Sequence, residues 1–165
     1  MNIWSVIKRI SLKEIGRLLK IGLSHPLYII PTYKATHKTL RICHRLYPKT
    51  QHAHGVENAF RHALWNMLLC QYIFEVNNTI HKSLEWTKKI TDLHEELAPN
   101  NELEKAMDLH NNKVGRNIFG ELLEEEENQI IVFLQEKMKT AHKISDVSQL
   151  KEVENELIYI SEFKV

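Results

Sequence analysis

Residues 58–74, NAFRHALWNMLLCQYIF, leave a helix almost no face to turn toward water. At 100° per residue, Ala59, Phe60, Ala63, Leu64, Met67, Leu68, Cys70, Tyr72 and Phe74 cover most of the circumference. A helix that is apolar nearly all round is a central one, and the rest of the chain has to wrap it.

What wraps it is helical too. Five Gly and four Pro in 165 residues leave little turn chemistry for a many-stranded sheet. Leu12, Ile15, Leu18 and Leu19 keep a helical period over 11–23, ending at His25-Pro26. Further helices are expected from after Pro31 to about Tyr47, over 55–76, over 80–97, over about 100–123 and from the acidic run at 124–127 to Ala141. A short helix after Asp146 and an extended LIYISEFKV tail complete the reading. The expectation is a compact all-α bundle of about six helices around a buried central one, in a single domain over 1–165. Basic helices fill 1–50, a polar core 54–123, and C-terminal helices and a tail 124–165.

Cys43 and Cys70 lie inside apolar helical runs, which reads as two buried thiols in a reducing compartment. No run approaches the roughly 20 apolar residues a membrane span needs, and charges interrupt the first 23 residues too often for a signal peptide. The expected location is therefore cytoplasmic. Residues 1–50 carry ten Lys/Arg against one acid, and 51–165 carry twelve against twenty. The basic third could face an anionic membrane or nucleic acid, or could pack against the acidic remainder. An amphipathic helix over 3–23 would make the protein membrane-peripheral.

Against its apolar background the central helix carries Asn58, His62 and Asn66 at i, i+4 and i+8, a polar line flanked by Arg61 and Trp65. Each buried group in such a line costs about 1–3 kcal/mol unless a partner meets it, so neighbouring helices must present polar groups. The 80–97 helix offers His94 on the margin of its Trp86–Ile90–Leu93–Leu97 stripe. Its Glu95 points roughly opposite that stripe unless the helix distorts before Pro99. In the next helix Asp108 and His110 fall about 160° apart, so one metal is not expected to bind both. Asn111 lies within the core stripe, and Asp108 shares its side with Asn112 and Gly115. Arg116, one turn on, is suited to a phosphate.

Three successive helices with His beside Asn, Asp or Glu suggest a shared site. Imidazole plus carboxylate is the ligand chemistry of zinc and similar divalent metals. His62, His94 and Asp108 are the expected metal ligands, with Glu95, His110, Asn111, Arg61, Arg116 and Asn58 as catalytic candidates. HExxH, CxxC, GxxxxGK[ST] and GxSxG are all absent.

The blocks HGVENAFRHALW (54–65), TDLHE (91–95) and MDLHNNKVGR (107–116) together resemble an uncharacterised bacterial all-α domain, found alone and at the end of toxin-like proteins. The resemblance covers about residues 54–119. It implies that Asn58, Arg61, His62, Trp65, His94, Glu95, Asp108, His110, Asn111 and Arg116 belong to a common pattern, and it implies no reaction. The residues themselves suggest a metal-dependent hydrolase acting on a lipid or nucleic-acid phosphoester. The alternative is a non-enzymatic interaction module whose polar seam only specifies helix packing.

Overall fold

Because the central helix must be buried on every side, its neighbours determine the architecture. The computed structural model describes residues 12–51 and 53–161. Six α-helices follow in order among them: α1 (Leu12–Ser24), α2 (Pro26–Leu46), α3 (Val56–Asn77), α4 (Ile80–Leu97), α5 (Glu102–Ile118) and α6 (Glu127–Lys139). Helix α3 packs against α2, α4, α5 and α6. Its Phe60, Leu64, Met67 and Leu69 are fully buried. The all-α bundle around a buried central helix is thus the observed fold, and no helix among the described residues is long and apolar enough to cross a membrane.

The boundaries follow local chemistry. Helix α2 begins at Pro26, ahead of the start expected after Pro31, because proline at the first helical position loses no bond the helix would make. Pro31 is then tolerated in the second turn. Asn78 ends α3 in the left-handed region at φ 56°, a conformation asparagine accepts. Helix α5 is capped by Asn101, in a reciprocal capping box with Glu104. It stops at Ile118, short of the expected Leu123. Leu122 and Leu123 still pack on the core, but they do so from a turn.

Two indoles tie α2 to its neighbours. Trp65 Nε1 donates to Thr36 Oγ1 and Trp86 Nε1 to Thr32 Oγ1, both at 2.9 Å. Arg17–Glu96 and Lys38–Glu127 join basic and acidic parts of the chain. Both pairs are partly exposed, so each stabilises by at most about 1 kcal/mol. Cys43 and Cys70 are free and buried, and burial pushes both thiols up to about 12. Of the expected amphipathic helix over 3–23, residues 3–11 lie outside the described part.

Helices α3 and α5 come into backbone contact at Gly115. A Cβ built at Gly115 would stand 2.2 Å from the Ala63 carbonyl oxygen and 2.8 Å from its Cα. Only glycine fits there.

After α6 the chain forms two short strands. β1 (His142–Lys143) pairs in parallel with β2 (Ile158–Tyr159) across a 3₁₀ turn at Val147–Lys151. Asn111 on α5 captures this segment, donating to Ile158 O at 2.9 Å and accepting from Ile158 N at 3.0 Å. His110 Nε2 meets Glu156 O at 2.8 Å. Asn111→Ala would strand both backbone groups of a buried residue. We expect a loss of about 2–4 kcal/mol, together with proteolytic release of the tail well below the global melt. A tail that remains as protease-resistant as in the wild type would refute this role.

Candidate metal centre

The polar line on α3 needs partners, and α4 and α5 supply them. Helix α4 has two buried faces. Trp86 and Leu93 form an apolar one against Ile21 and Ile73, flanked by Ile90 and Leu97. Ser83, Thr87, Thr91 and Glu95, spaced four apart, form the other, and all four are buried. Glu95 does lie opposite the apolar stripe, as its position in the sequence predicts, but that side also faces protein. On α5 the face that closes on Ala63 at Gly115 carries Asp108, Asn112 and Arg116.

These faces meet at His62, where His62, Glu95 and Asp108 are 3%, 1% and 4% exposed. One ligand atom from each lies within 4.8 Å of the other two. His62 Nδ1 is 3.1 Å from Asn112 Oδ1 and 3.4 Å from Glu95 Oε1. Its Nε2 is 3.0 Å from an Arg61 guanidinium nitrogen and 3.3 Å from Asp108 Oδ1.

The amide of Asn112 sets the tautomer of the ring. Its Nδ2 donates to Glu95 Oε1 at 2.9 Å, so its Oδ1 must act as acceptor. That oxygen takes Asn66 Nδ2 at 2.6 Å and leaves His62 Nδ1 as a donor. Neutral His62 therefore carries its proton on Nδ1 and turns the Nε2 lone pair toward Arg61 and Asp108. Anchoring one imidazole nitrogen so that the other presents its lone pair is the arrangement that orients histidine ligands in metal sites; here Arg61 donates to that lone pair.

The carboxylates are less well satisfied. Asp108 Oδ2 accepts from Asn100 Nδ2 at 2.9 Å. Asp108 Oδ1 and Glu95 Oε2 are both buried without a hydrogen-bond partner. Although Oδ1 is near His62 Nε2, that nitrogen already receives the Arg61 N–H, so two acceptors face each other. Burial and the nearby Glu95 raise the Asp108 carboxyl above its ordinary range, against the opposing pull of His62 and Arg61. Burial alone would raise Glu95 as well. Its bonding to His62 and Asn112, with the charges of His62 and His94, outweighs that and holds it low. Glu95 is thus held below the ordinary carboxyl range and Asp108 above it.

A second layer fixes the first. Asn66 Oδ1 accepts from Arg116 at 2.8 Å and from Thr91 Oγ1 at 3.2 Å. Asn58 donates to Ala53 O at 2.5 Å, leaving its own buried oxygen unpartnered.

Of the expected site residues, the structure brings together His62, Asp108, Glu95 and Arg61, with Arg116 and Asn58 at the edge. His94 is not in the group. It is solvent-exposed, and its ring stands edge-on to Trp65 at 5.1 Å between centroids. Protein mass behind it, with the charges of His62 and Arg61, lowers its affinity for a proton, although Glu95 opposes this. Its open face weakens all of these effects. Glu95 takes the place expected for His94. His110 and Asn111 are not part of the group either, since both are engaged with the C-terminal segment. Asn112, Asn66, Thr91 and Asn100 were not among the candidates. Asn112 and Thr91 could have been found as members of the i, i+4 polar rows Asp108–Asn112–Arg116 and Thr87–Thr91–Glu95. Nothing in the sequence marks Asn100.

A family model described as a domain of unknown function, DUF6973, matches residues 19–142. The chain belongs to the DUF6973 family. The match takes in α2 to α6 whole and the second half of α1, and with them every residue of the His62 centre. No curated protein and no solved structure matches the chain. DUF6973 membership accordingly places the centre within a shared domain and names no reaction.

Proposed function

We propose that this DUF6973 domain binds a divalent cation through His62, Glu95 and Asp108 and uses it to hydrolyse a phosphoester. The observation that carries the reading is the pair of buried, unpartnered carboxylate oxygens beside an oriented imidazole. Leaving such groups without a partner is costly, and a cation would satisfy both. One imidazole and two carboxylates fit zinc or a similar divalent metal and leave a coordination position open. Such a metal supplies Lewis-acid polarisation and an activated water.

The remaining residues suggest the substrate class. Arg61 and Arg116 bring two guanidinium groups to the centre and its rim. Guanidinium groups suit phosphate oxygens, which favours a phosphoester. Arg61, half-buried next to Asp108, is placed to hold a phosphate oxygen. His94 stands on the solvent side of Glu95 and can exchange protons with water. Asn112 keeps the His62 ring in one tautomer throughout.

The test is hydrolysis of bis-p-nitrophenyl phosphate by the full chain with zinc, manganese or magnesium added. Wild type should show metal-dependent turnover, and His62→Ala should lower it about a hundredfold or more. Arg61→Ala should weaken substrate binding while metal content is kept. Turnover that persists in His62→Ala, or none with any of the metals, would overturn the hydrolase reading.

A second reading takes the seam as packing only, favoured by the closed hydrogen bonding among Asn66, Asn112, Thr91 and Arg116. It requires that metal change neither stability nor activity, and that His62→Ala simply lower the melting temperature.

A further inference from the structure

Helix α2 is buried on one side through Ala35, Thr39, Ile42 and Cys43, and the opposite half of its circumference is open. Projected at 100° per residue, Leu27, Ile30, Tyr33, Lys34, Leu40 and Arg41 all fall within that open half. Large apolar groups at the α1–α2 corner are bared to an unusual degree: Leu23 is 79% exposed, Leu27 75%, Tyr33 68% and Ile30 64%. Scattered single exposures need no explanation, but a contiguous apolar group of this kind marks an interaction surface. No Asp or Glu occurs between Glu14 and Glu57. Lys34, Arg41, His44 and Arg45 lie exposed further along the same helix, about 30 Å in length.

We propose that this face of α2 seats the protein on an anionic lipid surface. The apolar Leu23–Leu27–Ile30–Tyr33 end would enter the boundary between headgroups and acyl chains, and the Lys34–Arg45 end would lie over lipid phosphates. The segregation of the two ends favours a membrane over nucleic acid. Four bare apolar side chains gain nothing against a phosphate backbone but are removed from water at a lipid boundary. The absence of acids gives the charge complementarity that an anionic leaflet requires. The surface lies on the side of α2 away from α3 and does not depend on any chemistry at His62.

The test is co-sedimentation of the full chain with phosphatidylcholine vesicles, with and without about 30 mol% phosphatidylserine. Binding is expected only to the anionic vesicles, and it should weaken with added salt. Leu27→Ser/Ile30→Ser/Tyr33→Ser should reduce it about tenfold or more, and so should Lys34→Glu/Arg41→Glu. Circular dichroism should show both variants folded, since every substituted side chain is exposed. If a variant does not fold, the salt and lipid dependence of the wild type decides the matter. Failure to bind anionic vesicles would overturn the proposal, as would equal binding to both vesicle types. Loss confined to the charge variant, with tighter binding to duplex RNA than to vesicles, would overturn it in favour of nucleic acid.

Discussion

Gly115→Ala is expected to lower the melting temperature by about 10 °C, corresponding to about 3 kcal/mol in a chain of this size. On intrinsic propensity the change should help, since alanine is favoured over glycine in a helix by about 1 kcal/mol. The opposing effect is steric and larger. The new methyl would lie 2.2 Å from a backbone oxygen and 2.9 Å from a backbone carbon of Ala63, and neither can rotate away. The helices must separate, and the packing of Phe60, Leu64 and Met67 loosens with them. Because the clash is with backbone, Ala63→Gly should not rescue the variant, whereas a contact with the alanine methyl would be rescued. Equal stability of Gly115→Ala and wild type by thermal denaturation, or full rescue by Ala63→Gly, would show that α3 and α5 are not in backbone contact. Asp108 and Asn112 share a helix with Gly115, so the same displacement should also weaken cation binding.

The second large effect is stabilisation by a cation. At a hundredfold excess over its Kd, a metal bound only by the folded state adds about 2.7 kcal/mol, read as a rise of about 5–10 °C in melting temperature. Asp108→Asn and Glu95→Gln should abolish this rise. Without metal, however, neither should destabilise the protein much, and Asp108→Asn should melt at or above the wild type. The substitution removes the buried carboxylate, and its amide oxygen can keep the bond from Asn100 Nδ2. That opposite response with and without metal separates a cation site from a packing seam, in which both variants would be destabilised under every condition. If zinc, manganese, magnesium and calcium all leave the melting temperature unchanged, the centre does not bind a divalent cation. The phosphoester reading would then fail with it, while the lipid-docking surface would stand.

The fold was largely legible because the central helix declares itself: a helix apolar on all sides has one place to be. The polar line Asn58–His62–Asn66 likewise demanded polar partners, and α4 and α5 provide them. The sequence misled over Glu95 and His94. The wheel placed Glu95 opposite the Trp86–Leu93 stripe correctly, but a stripe identifies one buried face and cannot rule out a second. The second face of α4 is built from Ser83, Thr87 and Thr91, whose short hydroxyl side chains read as surface in a sequence and here fill a tight interface. His94 lies between the two faces and emerges into solvent. Asn111 looked like a site residue because a polar side chain in a core stripe needs a reason. Its reason is Ile158, 47 residues away, which no local pattern could indicate. Helix α2 starts as early as Pro26 because the ring that ends the helix before it is also well suited to a first turn.

Helix α5 is held on two sides. Gly115 sets it against the backbone of Ala63, and Asn111 and His110 hold the backbone of Glu156 and Ile158. The contact of α5 with α4 carries the bonds from Asn112 to Glu95 and from Arg116 to Thr91. Glu95 rides on α4. Any separation of α4 from α5 would therefore remove one of the three groups proposed to hold the ion, so access and ion retention would compete. An enzyme built this way would hold its metal most tightly when closed over it and be most prone to lose it while exchanging substrate for product.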